Sequence, residues 1–396
     1  MAELYLPPQE HTFDSKTITI RSAQPSDAEA IRRLYFDTYG NSYTIPEIAD
    51  PQKMAAALLS RTDYLWIISE CGSKVVGSVI FTVDPYHRLG KAFGGVIDSA
   101  FRGHKLIYAM MKRGHDILLN DGSPCDLIYA VVRTFVSVKF HRNLKELGYL
   151  DLGIFPNVRK LKEYETHTFK ICPGPNAFAN RRPLPRIYEQ IQTLYRLVNT
   201  KLQLGSVLMK PIELEENTLP LIPLAKDAEH TLPKDIEAER ERLRRENKLR
   251  FGFCPLLEPN LMLISPDKTV KAFINCHPTD GHASLLGLET GGHDMVCLLE
   301  SLAHACENLQ LKYLEVLASA YDPMIQAQLW QAHFIPSAWF PAARLDNGQR
   351  LDYIIASRSF VPLHFQGLQL TEDSKPYLLE FFKLYTARIW EELVNA

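Results

Sequence analysis

The 396 residues, 46% hydrophobic and 23% charged, are enough for two or three globular domains. A formal net charge of −2 excludes a general attraction to nucleic acid or anionic membrane, and the seven cysteines show no C-x-x-C spacing, so neither a zinc site nor a disulfide framework is expected. The first residues hold no basic segment followed by an apolar run, and no stretch approaches the roughly 18 apolar residues of a membrane span, so the cytoplasm is the expected compartment.

In chain order, residues 17–21 (TITIR) alternate and are β-branched, which predicts a strand. Pro25, Ser26 and Asp27 open a helix, with Ser26 as N-cap and Glu29 completing a capping box. Ile31, Leu34 and Tyr35 mark its apolar face, and it fades at Gly40. Residues 41–51 read as a loop and 51–60 as a second helix. Residues 65–68 and 75–83 flank ECGSK and predict a hairpin with a glycine turn; 84–91 read as a polar connection.

The rest of the chain is organised around residues 94–111, GGVIDSAFRGHKLIYAMM. Val96-Ile97 is a short apolar strand, Arg102 and Gly103 form a tight turn, and Leu106, Ile107, Met110 and Met111 share one helix face. A strand that enters a helix through a glycine turn leaves several backbone N–H groups aimed at one point, which suits a phosphate. Residues 126–132 predict a strand, 135–147 a helix stopped by Gly148, and 152–155 and 166–172 two closing strands. The order β α α β β β α β α β β describes a mixed sheet with helices on both faces.

That order, with a phosphate-type turn after its fourth strand, resembles the GNAT acyltransferase family over residues 17–172. The resemblance rests on IRSAQPSDAEAIRRL, FRGHKL and LKELGYLDLGIFPNVRK. In the family the turn reads Arg/Gln-x-x-Gly-x-Gly/Ala and its N–H groups hold the pyrophosphate of an acyl-coenzyme A. Arg102 fits the first position, whereas Lys105 and Ile107 stand where glycine and glycine/alanine are usual. Gly103 keeps some room, and Lys105 offers a charge to phosphate. The resemblance therefore implies cofactor contacts from Arg102, Gly103, His104, Lys105 and Leu106. It also implies backbone contacts from Val96 and Ile97 to the pantetheine arm. The family's general-acid tyrosine corresponds to Leu144, which leaves Asp98, His141 and Tyr149 as catalytic candidates. The loop 39–51, with Tyr43 and Glu47, is expected over the acceptor, Glu47 pairing with a cationic substrate.

Residues 173–185 (PGPNAFANRRPLP) read as a connector, 187–204 as a helix, 207–212 as a strand and 235–250 as a solvated helix of alternating charge. The earlier pattern then returns. A hairpin spans 261–265 and 270–276, and a strand spans 284–289. The turn Thr290-Gly291-Gly292, a helix over 294–309, a strand over 313–318, a helix over 323–333 and a strand over 335–343 follow. Phe155-Pro156 in IFPNVRK and Phe340-Pro341 in WFPAARL lie 185 residues apart, and the strands beginning at Leu127 and Tyr313 lie 186 apart. One order at one spacing indicates an internal duplication.

The expected fold is α/β (an α+β mixed sheet): two GNAT-like lobes in tandem, each a mixed, mostly antiparallel sheet flanked by helices. Residues 1–172 form the N-terminal acyltransferase lobe and 173–250 a proline-rich linker and helical connector. Residues 251–396 form a degenerate C-terminal lobe with an amphipathic helix over 374–394. The expected activity is transfer of an acetyl group from acetyl-CoA, or another acyl-CoA, to a small-molecule or amino-acid-like amine by direct attack. No metal, nucleic acid or membrane is expected, in a monomer or homodimer. The alternatives are a non-catalytic acyl-CoA-binding or scaffold protein on decayed lobes, and an acyltransferase that docks an acyl carrier protein on Arg102, His104, Lys105, Lys112 and Arg113.

Overall fold

The computed structural model describes residues 3–13, 15–40, 45–103, 105–120, 122–160, 163–214 and 219–395. The chain divides into two compact units. The first comprises Met1–Val132, Val136–Leu150 and Lys170–Ala179; the second comprises Arg133–Phe135, Asp151–Phe169 and Asn180–Ala396, rather than dividing at residues 172 and 250.

The first unit contains β1 (Gln9–Phe13), β2 (Lys16–Ser22), α1 (Ala28–Tyr39), α2 (Pro46–Ala49), α3 (Pro51–Leu59), β3 (Tyr64–Cys71), β4 (Lys74–Asp84), β5 (Leu89–Ile97), α4 (Leu106–Leu118), β6 (Leu127–Arg133) and α5 (Val138–Glu146). Its strands lie in the order β1-β2-β3-β4-β5-β6, antiparallel except for the parallel pair β5–β6. Alternation sorts side chains to two faces. Leu65, Ile67, Val79 and Phe81 pack with Met110, Met111 and Leu118 of α4, while Trp66, Ile68 and Ile80 pack with Ile31 and Tyr35 of α1 and Met54 and Leu58 of α3.

Three local expectations are corrected. The sequence reading passed over β1 because QEHTF has no apolar alternation; it is a mostly exposed edge strand. The first helix does not use Ser26 and Glu29 as a capping box. Asp27 accepts from the Gln24 N–H at 2.8 Å and from the Arg21 guanidinium at 2.7 and 2.9 Å, so the start is tied to β2 instead. The organising strand is β5 from Leu89, not a short piece after a polar connection, because Leu89 and Ala92 are buried beneath its polar neighbours.

The second unit takes β7 (Leu150–Lys160) and β8 (Tyr164–Pro173) from residue 151 to 169, then β9 (Arg186–Ile187), α6 (Gln192–Leu202), β10 (Leu208–Met209), β11 (Ala225–Lys226), α7 (Pro233–Arg245) and β12 (Leu249–Arg250). It continues with β13 (Leu261–Ile264), β14 (Lys271–His277), β15 (His282–Glu289), α8 (Met295–Asn308), β16 (Tyr313–Ser319), α9 (Pro323–Gln331), β17 (Ile335–Asp346), β18 (Gln349–Ser359) and α10 (Lys375–Asn395). Its strand order is β8-β7-β17-β18-β16-β15-β14-β13-β11, with β12 added on β15. Leu263, Ile274, Leu285, Leu298, Leu302, Leu314, Val316 and Phe334 lie in its main core.

The run β13 to β18 has the element order of β3 to β8, including a parallel pair, β15–β16, after two antiparallel ones. The sequence reading missed β18, although Asn347-Gly348 with positive φ at both residues is a strong two-residue hairpin signal.

Candidate functional site

The parallel pairing of β5 and β6 stops early. Leu89, Gly90 and Lys91 face Leu127, Ile128 and Tyr129, yet β5 runs on to Ile97 and β6 to Arg133. The cause lies on the other edge of β5. Ser78 faces Val96 but Ile80 faces Phe93, so β5 carries an extra residue as a bulge at Gly94-Gly95, with Gly94 at φ +67°. A bulge bends and twists the strand that carries it, here away from β6. Gly95 is exposed in mid-strand, and Val131 on β6 is 38% exposed. The two strands therefore splay into an open wedge.

The turn after β5 forms the second part of the site. Asp98 Oδ1 accepts from the Ala100 N–H at 2.9 Å and shapes a short helical turn over Ser99–Phe101. Gly103 (φ +95°) and Lys105 (φ +57°) then take left-handed conformations. Such reversals gather N–H groups into an anion-binding concavity. Lys105 occupies the N-cap of α4 without a side-chain cap, and the first helical bond runs from the Ala109 N–H to the Lys105 carbonyl. The amides of Leu106, Ile107 and Tyr108 precede that bond at the positive end of the helix dipole. Arg102 Nε donates to the Ile97 carbonyl at 3.1 Å, and Lys139 Nζ of α5 donates to the Gly103 carbonyl at 3.1 Å. Lys105 Nζ lies 2.9 Å from Glu146 in an exposed pair, which a phosphate can replace at little cost. Lysine thus stands at a left-handed position where the family has glycine, a strain of roughly 1–2 kcal/mol.

The sequence-derived site residues are distributed as follows. Val96 is buried against the α1–α3 side and Ile97 packs against the opposite core, so only their backbone is available at the strand edge. Asp98 is paired with Lys74 at 2.6 Å, and that bond with the Ala100 amide holds its carboxyl below the usual carboxylate range. His141 is buried on α5 against the Phe140 ring. Tyr149 is buried in the core; burial pushes its phenol well up, and its hydroxyl meets His115 Nε2 at 3.1 Å. The structure gives these three candidates separate surroundings. Glu47 on α2 accepts from the Tyr64 hydroxyl at 3.1 Å. Tyr43 and His104 lie outside the described residues. Of the proposed carrier-docking cations, Lys112 pairs with Asp116 at 3.3 Å and Arg113 donates to the Pro7 carbonyl at 3.3 Å.

The sequence reading missed the residues beneath the bulge. The Tyr35 hydroxyl donates to the Gly94 carbonyl and lies 3.2 Å from Ser78 Oγ, which also accepts from Trp66 Nε1 at 2.8 Å. The only sequence signal was a pair of glycines inside an apolar strand.

The corresponding place in the second unit is closed. β15 pairs with β16 only from His282↔Tyr313 to Leu285↔Val316, and a bulge follows between Phe273 and Ile274 on the β14 edge. Leu288 and Glu289 already pair with β14, and on their other edge they pair with Arg250 and Leu249 of β12. A piece of the same chain therefore fills the splay. At the following helix start, Asp294 Oδ1 accepts from the Cys297 N–H at 2.9 Å, so a carboxylate already occupies the position a phosphate would take. The second copy is degenerate at both halves of the site.

The second unit also holds a buried charged cluster. Arg133 grips Glu165 through two bonds of 2.7 and 2.6 Å, with His167 Nε2 at 3.4 Å. Burial alone would raise the Glu165 carboxyl, but the bonds from His167 and Arg133 outweigh it and bring it down from 4.5 to about 2. A depressed carboxylate contributes stability above its unfolded value that is lost as pH falls towards the folded one. Glu165→Gln should therefore flatten the dependence of the melting temperature on pH between about 5 and about 2. Parallel acid limbs in variant and parent would refute the assignment.

No family model and no curated protein matches the chain. Among the solved structures it resembles are acetyltransferases, one of them described as of the GNAT family. It is 16% identical to a ribosomal-protein-S5-alanine acetyltransferase from Vibrio fischeri, over 42% of this chain and 98% of that one, at a TM-score of 0.34. It is 15% identical to an acetyltransferase of the GNAT family from Streptococcus pneumoniae, over 40% and 99%, at 0.34. The third is yncA from Salmonella typhimurium, solved with acetyl-CoA: 19% identity, over 39% and 93%, at 0.34. Among the described residues, no helix is long and apolar enough to cross a membrane, and no group of three or more metal-ligating side chains occurs.

Proposed function

We propose that this chain is an acyl-CoA-dependent N-acyltransferase whose donor site is the β5–β6 wedge and the turn behind it. The observation that carries the reading is the splay itself: an exposed strand edge that leads to a cation-flanked helix start with no side-chain cap. A pantetheine arm is an extended diamide, so it can add to the β5 edge as a short strand would. The diphosphate then reaches Arg102, Gly103, Lys105 and the first turn of α4. In the reaction the acceptor amine attacks the thioester carbonyl, a C–N bond forms, the C–S bond breaks, and the thiolate leaves and takes up a proton as the amine gives one up. The acceptor is a small-molecule or amino-acid-like amine, and acetyl the first acyl group to test.

Calorimetry with acetyl-CoA tests this directly. One site per chain is the expected result, since β12 and Asp294 fill the second copy. The absence of both heat and a thermal shift at saturating coenzyme would sink the proposal.

A further inference from the structure

The pairing of β5 with β6 ends at Lys91 and Tyr129, so these two residues stand at the closed end of the wedge. Their neighbours Ala92, Ile128 and Ala130 belong to the core beneath α4, which fills that side of the sheet. By alternation Lys91, Phe93, Tyr129 and Val131 face the other way. Phe93 packs against the α1–α3 core, and Val131 is 38% exposed, so this side is open to solvent beside the strands. Lys91 puts a cation on that surface. Its side chain is partly exposed, and its Nζ lies 5.7 Å from the centroid of the Phe93 ring and 5.9 Å from that of Tyr129. Two rings fix the ammonium in place and carry no formal charge that would cancel its own. A carboxylate that reaches it gains a charge-assisted hydrogen bond.

Resting on the donor-site reading above, we infer that the acceptor is an amine that also carries a carboxylate, a free amino acid being the simplest case, and that Lys91 holds this carboxylate. A pantetheine arm that runs back along β5 from the turn after Ile97 carries its thioester towards the closed end of the wedge. Lys91 stands at that end. Holding one end of the acceptor there sets its amine beside the thioester carbonyl, and orientation of this kind lowers the barrier to attack. The carboxylate takes no part in the bond exchange.

The test is steady-state acetyl transfer from acetyl-CoA, read as released thiol, to free amino acids, each beside its own carboxamide. The parent chain should use at least one amino acid, and the matching carboxamide about tenfold less well or worse in kcat/KM. This comparison needs no variant. Lys91→Gln should raise the KM for that amino acid by a similar factor and leave the carboxamide unchanged, with calorimetric affinity for acetyl-CoA within about threefold of the parent. Lys91→Glu should reverse the preference, because it repels the carboxylate. Equal use of acid and carboxamide, preference for the carboxamide, or no turnover of any free amino acid overturns the inference. So does a Lys91→Gln variant that changes neither substrate or both alike. In each of these cases acetyl-CoA bound at one site leaves the donor reading standing. Failure of the parent chain to bind acetyl-CoA overturns both.

Discussion

Arg102→Ala combined with Gly103→Pro is expected to weaken acetyl-CoA binding by a hundredfold or more. Gly103 sits at φ +95°, which proline, locked near −65°, cannot adopt. The turn must then reorganise, and the amides it gathers lose their common focus. A hydrogen bond to a charged group contributes about 1.5–3 kcal/mol, so losing two such bonds and the Arg102 cation accounts for that factor. Nothing lies within 4 Å of a Cβ at Gly103, so the core should not register the change. The measurement is calorimetric titration beside a thermal melt. Unchanged affinity in a normally melting variant would place the diphosphate elsewhere.

The largest stability effect is expected at Asp352 in the second unit. Its carboxylate is completely buried and accepts from Arg181 Nε and Nη2 at 2.8 and 2.5 Å, Trp339 Nε1 at 3.0 Å and the Ala342 N–H at 2.9 Å. Asp352→Ala strands the nearly buried Arg181 guanidinium and two neutral donors, at about 3–5 kcal/mol. Urea unfolding followed by tryptophan fluorescence should show it, with Trp339 packed beside the site against Tyr195. A loss below about 1 kcal/mol would mean that water or a rearranged side chain takes over these bonds.

Particular elements show how far the sequence could be read. The strand face Leu65, Ile67 against Trp66, Ile68 follows from alternation, and the α4 face from its 3.6-residue period, because both depend on neighbours along the chain. Gly103 and Leu106 announced the turn for the same reason. Tyr149 and His141 could not be judged in this way. A hydroxyl and an imidazole read alike whether buried or exposed, and only the packing of α5 and of the turn that precedes β7 put them out of solvent.

By itself the sequence determined most of the order of elements in each copy, though not β1 or β18, together with the recurrence at an interval of 185 residues and the glycine turn that leads into α4. These are written in local periodicity and turn chemistry, which a single stretch of chain carries whole. Tertiary structure alone decided that one wedge is open and the other shut. That outcome depends on the register of β5 against β4 and β6, and on residues 249 and 250 reaching the edge of β15. Register is a relation between distant strands, fixed by how whole faces pack, and no single segment encodes it.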